Sequence, residues 1–174
     1  MASENLSELV RNIADFPIPG IQFKDITTLL RDGPAFRQTI DALVARYQSR
    51  PIDAVIGIES RGFIFSAPVA YRLGVGLVPI RKPGKLPAAT YQVEYDLEYG
   101  SNKLELHRDA LQPGSRVLIV DDLLATGGTI AAACQLVAQA GAVVDELAFL
   151  IELSFLDGRK RLGTTAPIFS LIQY

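Results

Sequence analysis

The chain of 174 residues holds one cysteine, Cys134, and one histidine, His107. A lone cysteine excludes an intrachain disulfide and cannot by itself build a zinc site, which points to a reducing compartment, the cytoplasm. Excess charge of either sign is also missing. Seventeen Lys and Arg stand against nineteen Asp and Glu, for a formal net charge of -2. Such a chain has no general attraction for nucleic acid or an anionic membrane, so any phosphate chemistry must come from local sites. A secretory leader is not expected, since the opening residues MASENLSELV carry acid where a leader carries base. One long uncharged run exists, residues 123–144, but it contains Thr126, Gly127, Gly128, Thr129, Gln135 and Gln139 and is otherwise rich in alanine. A loop followed by a buried helix explains it better than a membrane span. No lysine lies between Lys103 and Lys160, which removes a Walker A loop. A dinucleotide fingerprint begins at Gly74-Val75-Gly76 and fails where Pro79 takes the third glycine's place.

What is present reads as one α/β domain. Leu6, Leu9, Val10 and Ile13 share a helical face, with Ser3 available as N-cap, and Asp15 to Gly20 breaks that pattern with two prolines and a glycine. A helix from about Pro34 buries Phe36, Ile40, Leu43, Val44 and Tyr47. Residues 54–58, 76–80, 117–120 and 146–153 are short runs with few or no charges, as in parallel strands buried on both faces. Helical patterns at 63–73 and 129–140 separate some of them. The expected fold is an open, mainly parallel twisted sheet flanked by helices. Between the second and third core strands, Tyr91, Val93, Tyr95 and Leu97 alternate with polar residues, turn at Gly100-Ser101-Asn102 and resume with Leu104 and Leu106. That period of two predicts an antiparallel hairpin over 88–107.

Three strand ends carry chemistry. Residues 117–129, VLIVDDLLATGGT, deliver Asp121 and Asp122 to the carboxyl edge of the sheet, and a glycine turn leads into a helix. Ligands bind at that edge in open α/β sheets, and a helix N-terminus suits a phosphate. Gly127 and Gly128 allow close backbone approach, and Thr126 and Thr129 add hydroxyl donors. The acid pair repels that same phosphate and suits neighbouring hydroxyls, or a cation such as Mg²⁺. A phosphate beside a vicinal diol describes ribose 5-phosphate. The bland alternative is a tight turn with two solvated aspartates. A second strand end, GIESRGF, offers Ser60 and Arg61, and a third, PIRKPGK, offers Arg81, Lys82 and Lys85. Together they suggest a ligand with two separate phosphate groups; surface salt bridges and a solvated basic turn are the competing readings. Cys134, amid alanines, reads as a small core residue.

These residues resemble the type I phosphoribosyltransferases. VLIVDDLLATGGT is similar to the family's signature for 5-phosphoribosyl-1-pyrophosphate (PRPP). FPIPGIQFKDIT, ESRGF, IRKPGKLP, LEYG, LELHRDAL and FSLIQY resemble its adenine-specific branch, so that the likeness runs along essentially the whole chain. The resemblance implies a pentosyltransferase of purine salvage that moves ribose 5-phosphate from PRPP to N9 of adenine, giving AMP and pyrophosphate with Mg²⁺ held mainly by substrate. It implies a small N-terminal hood over about 1–33, a core over about 34–174 and a flexible catalytic hairpin. On this likeness Asp121 and Asp122 meet the ribose diol, and Ala125, Thr126, Gly127, Gly128 and Thr129 the 5-phosphate. Ser60, Arg61, Arg81 and Lys85 take pyrophosphate, and the peptide joining Glu59 to Ser60 is often cis. Adenine lies between Phe23 and Leu123, its edge read by main chain at Gln22 and Lys24; Lys24 stands where many members carry arginine. Glu98 corresponds to the acid/base and Tyr99 helps close the hairpin. Alone, Glu98 would read as an exposed hairpin carboxylate. Members are usually homodimers, in which the 81–85 segment reaches toward a neighbouring subunit's site. His107, without a Ser or Cys partner, is expected to be structural or at a dimer contact. Rival readings are a transferase for guanine, hypoxanthine or xanthine, a PRPP sensor without catalysis, and a nucleotide hydrolase.

Overall fold

The structure, a computed structural model, describes residues 5–96, 101–163 and 166–174. The chain opens with a 3₁₀ turn, Leu6–Leu9, and the hairpin β1 (Arg11–Ala14) and β2 (Gln22–Asp25). Helices α1 (Thr27–Arg31) and α2 (Gly33–Tyr47) follow, then β3 (Ala54–Ile58), α3 (Gly62–Leu73) and β4 (Gly76–Ile80). The second hairpin is β5 (Thr90–Asp96) and β6 (Ser101–His107). The chain closes with β7 (Arg116–Leu124), α4 (Gly128–Gln139), β8 (Val143–Glu152), a 3₁₀ turn, Ser154–Leu156, the short α5 (Gly158–Leu162) and β9 (Ile168–Gln173).

Five strands form a parallel sheet in the order β4-β3-β7-β8-β9. Its apolar runs are buried because side chains alternate between two cores. Val117 and Ile119 of β7 pack with α4 and the β5–β6 hairpin, whereas Leu118 and Val120 pack with α2 and α3. Each strand therefore needs apolar residues at every position, which is why these segments show no polar alternation. Helix α2 starts at Asp32, whose side chain accepts from Ala35 N at 2.9 Å, with Pro34 in the first turn where its missing N–H costs nothing.

The expected opening helix is corrected by the structure. One 3₁₀ turn forms instead, capped by Asn5, and residues 11–14 extend to pair with β2, Ile13 opposite Phe23. Arg11 Nη2 reaches Asp25 Oδ2 across that pair at 2.5 Å. Apolar residues at 6, 9 and 10 serve a single turn plus an extended entry as well as they serve a helix; only the long-range pairing with β2 decides. Ser3 lies outside the described residues. The third core strand continues to Leu124 rather than stopping at Val120. Strand β9, which joins the sheet beside β8, has no counterpart in the periodicity reading.

Among the described residues no helix is long and apolar enough to cross a membrane.

Candidate active site

The sheet order places one crevice. From β3 the chain steps outward to β4, and β7 then returns to the other flank of β3, so the winding direction reverses between β3 and β7. Crevices of that kind at the carboxyl ends of strands are where open α/β sheets take ligands. Pairing of β7 with β3 ends at Val120 opposite Gly57, whereas pairing with β8 carries on through Asp121, Leu123 and Leu124. The last four residues of β7 therefore overhang β3, with one edge open. That edge borders a cleft of about 310 Å³ lined by residues 58–61, 121–130 and Lys82.

Asp121 and Asp122 lie on the overhang and are nearly buried. Asp121 Oδ1 accepts the backbone N–H of Asp122 at 2.9 Å, and Asp122 Oδ2 meets Arg61 Nε at 2.7 Å. Burial, and then the neighbouring charge of Asp122, hold the Asp121 carboxyl well above the usual carboxylate range. Burial also raises Asp122, against the opposing pull of Arg61. Gly62 makes room for this pair: a Cβ there would stand 2.7 Å from Asp121 Oδ1.

Beyond β7 the chain turns through 125–127 into α4. Gly127 has φ +82°, a left-handed conformation that glycine adopts freely, and precedes the first helical residue, Gly128. Gly128, Thr129 and Ile130 of the first helical turn line the cleft, at the end of the helix that carries free N–H groups and a partial positive charge. Thr129 Oγ1 lies 3.3 Å from the Tyr95 hydroxyl, which ties the hairpin to this turn. On its far side the turn rests on α5. Gly158 packs so closely that a Cβ would run into the Ala125 carbonyl oxygen, and the Arg161 guanidinium lies against Gly128. Arg159 fixes α5 by bonding both oxygens of buried Glu152 at 2.6 Å.

At the end of β3 the Glu59–Ser60 peptide is cis. Ser60 and Arg61 line the cleft. Arg81 does not line it; its Nε donates to Glu59 Oε2 at 3.2 Å and its Nη1 to the Lys85 carbonyl at 3.2 Å. Lys82 N–H also donates to Glu59 Oε2, at 3.1 Å. Those bonds, the Lys82 N–H bond foremost, hold the Glu59 carboxyl below its ordinary range. Lys85 is exposed and outside the cleft lining, whereas Lys82 lines it. Lys82, to which the resemblance gives no role, is the cation of the run RKPGK that lines the cleft.

The other expected residues divide. Leu123 lines the cleft. Phe23, on β2, sits with its ring 5.5 Å from the Arg61 guanidinium, so the hood hairpin flanks the cleft. Gln22 is exposed; Lys24 turns to the Tyr174 ring, 3.5 Å away, and to Asn12 Oδ1 at 2.7 Å. Glu98 and Tyr99 lie outside the described residues. His107 Nε2 accepts from Ala88 N at 3.3 Å, a contact within the fold. Cys134 is buried, and burial pushes its thiol up to about 11. Among the described residues no group of three His, Cys, Asp or Glu side chains could cage a metal ion.

The family model described as phosphoribosyl transferase domain matches residues 27–162. The adenine phosphoribosyltransferase of Chloroflexus aurantiacus is 72% identical over 174 residues, covering 100% of both chains. The crystal structure of adenine phosphoribosyltransferase from Thermoanaerobacter pseudethanolicus superposes with a TM-score of 0.94 at 54% identity, over 98% of this chain and 99% of that one. That of the Saccharomyces cerevisiae enzyme, complexed with an imino-altritol bisphosphate and adenine, gives a TM-score of 0.90 at 43% identity over 95% and 96% of the two chains.

Proposed function

Since the chain belongs to the phosphoribosyltransferases, in their adenine-specific branch, we propose that its cleft transfers ribose 5-phosphate from PRPP to N9 of adenine, forming AMP and pyrophosphate in purine salvage. One observation carries this reading: an acid pair and a glycine-threonine helix start stand side by side on the β7 overhang, at the switch point of the sheet.

The 5-phosphate sits in the turn 125–129, against the N–H groups of α4 and the hydroxyls of Thr126 and Thr129. The ribose hydroxyls donate to Asp121 and Asp122. Burial disfavours charge on both carboxyls, and hydroxyl donors supplied by the sugar relieve that cost. Ser60 and Arg61 hold pyrophosphate, with Arg81, Lys85 and Lys82 on the facing turn. Adenine lies between Phe23 and Leu123, with its edge read by main chain at Gln22 and Lys24. As N9 attacks, the C1–N9 bond forms and the C1–oxygen bond to pyrophosphate breaks. Glu98 accepts the N9 proton and Tyr99 closes the hairpin over the site, which excludes water.

Asp121 and Asp122 offer the hard oxygen atoms that Mg²⁺ takes, and the ion would be held mainly by the donor's own oxygens. When bound, it offsets the charge that gathers on the departing pyrophosphate. Residues from about 1 to 33 act as hood and those from about 34 to 174 as core. A homodimer is supported by the outward apolar side chains Ile64, Tyr71 and Leu77, and the lone buried cysteine suits the cytoplasm.

Purified protein given PRPP, Mg²⁺ and each of adenine, guanine, hypoxanthine and xanthine should release AMP from adenine alone. No AMP would refute the base assignment, and PRPP binding without any turnover would favour a sensor.

A further inference from the structure

Buried carboxylates normally face a cation, yet Glu105 does not. It lies on β6, is only 8% exposed, and has no ion-pair partner among the described residues. Its two oxygens accept from neutral donors on different elements. Oε1 takes the amide of Gln92, its cross-strand neighbour on β5, at 3.0 Å. Oε2 takes the backbone N–H of Gly84 at 3.1 Å. The main chain of Glu105 meanwhile forms a two-way antiparallel bridge with Arg81, at 3.0 and 2.8 Å. One residue thus grips the basic turn at both its first residue and its tip, and does so from the root of the hairpin.

The turn needs such a grip. Apart from the Arg81 bridge, it is held by the Glu59 contacts at its start and by the Arg81–Lys85 bond across it. Lys82, Gly84 and Lys85 are exposed, so packing does little to fix them. We propose that Glu105 is a positioning residue for the pyrophosphate side of the site: its carboxylate holds the tip of the Arg81–Lys85 turn, whose Lys82 lines the cleft. This rests on the PRPP reading above. It touches no substrate; it acts through the Gly84 N–H.

The chemistry requires an acceptor at Oε2, not a charge. Glu105→Met removes both acceptors at similar length. Glu105→Gln keeps a carbonyl for Gly84, provided that Gln92 turns its own amide to meet the new NH₂ group. Titration calorimetry with pyrophosphate and Mg²⁺, and separately with ribose 5-phosphate, divides the two ends of the site. Glu105→Met should weaken pyrophosphate about fivefold, from loss of one partly exposed hydrogen bond. Ribose 5-phosphate affinity should stay within about twofold, and Glu105→Gln should stay near wild type for both. The inference is overturned if Glu105→Met leaves pyrophosphate affinity intact. It is equally overturned if both ligands weaken together, or if Glu105→Gln loses as much as Glu105→Met. Failure of the PRPP reading looks different, since the unaltered protein would then bind neither ligand. Should Glu105→Met not fold, Gln92→Leu, which frees the carboxylate's hairpin side, must show a smaller loss of the same selectivity.

Discussion

Replacing Asp121 by asparagine should stabilise the empty protein and impair its use of PRPP. The Asp121 carboxyl is buried beside Asp122, and burial first, then that neighbour's charge, raise it above its value in an unfolded chain, about 3.9. The folded state therefore binds this proton more tightly than the unfolded state does. Well below about pH 4 both states are protonated and the residue costs nothing. As pH rises from there toward the folded-state value, stability falls by about 1.4 kcal/mol per pH unit. Asparagine has no proton to lose, so the slope vanishes. Its side-chain oxygen can still accept the Asp122 N–H, a 2.9 Å bond in the wild type, and its size still suits the gap beside Gly62. In a domain of this size each 1.4 kcal/mol corresponds to about 3–5 °C in Tm. Donor use should move the other way, because a sugar hydroxyl loses an ionised acceptor worth about 1.5–3 kcal/mol, or roughly ten- to a hundredfold in kcat/KM for PRPP. Thermal unfolding of both proteins from pH 4 to pH 8, with steady-state kinetics at pH 8, tests both halves. A Tm difference that does not grow with pH would refute the electrostatic argument. Unchanged PRPP kinetics would remove the aspartate from the site.

Other substitutions probe separate parts. Gly158→Ala drives a Cβ into the Ala125 carbonyl and to 3.0 Å from Leu124 Cδ1; it should cost about 2 kcal/mol in urea unfolding and raise KM for PRPP more than KM for adenine. Glu98→Gln should lower kcat with little change in adenine affinity, and equal losses in both would make Glu98 a positioning group. Arg46→Met strips buried Glu146 of a two-point partner, 2.7 Å and 3.0 Å away. Burial pushes the Glu146 carboxyl up, but Arg46, aided by Arg50, outweighs it and holds the group below its usual range. The pair therefore stabilises above about pH 4.3 and weakens as pH falls below it. Since Arg46 is partly exposed, the loss at pH 7 should be about 1–2 kcal/mol and should shrink by pH 3.5.

How much of this was legible in the chain depended on the range of the interaction involved. Buried strands such as 54–58 and 76–80 announce themselves because a two-sided core needs apolar residues at consecutive positions. The hairpin announces itself because one face is wet: Val93 is buried while Gln92 and Glu94 are exposed. Asp121, Asp122 and Gly127 are visible since a local motif, strand then acid pair then glycine turn, carries their chemistry. Elements fixed at long range were not legible. Residues 11–14 extend only because β2 pairs with them, and β9 depends on β8 for partners. The grip of Glu105 on Gly84 spans 21 residues and leaves no periodic trace. Glu105 reads in the chain as an ordinary solvent-facing position of β6.

The overhang of β7 links these points. A strand paired on both sides would have sealed Asp121 and Asp122 between neighbours, where two adjacent carboxyls would be intolerable. A strand ending with β3 at Val120 would have left them in a mobile, solvated loop, with no rigid geometry toward a sugar. Pairing with β8 alone holds the backbone through Leu124, and the missing β3 partner opens the other edge to the cleft. The acid pair is thus rigid, nearly dry and reachable at once, and Gly62 and Arg61 from the start of α3 complete its setting. That combination is unfavourable for folding by itself, which is why the stability and the donor affinity of Asp121→Asn must move in opposite directions if the cleft is built for a sugar diol.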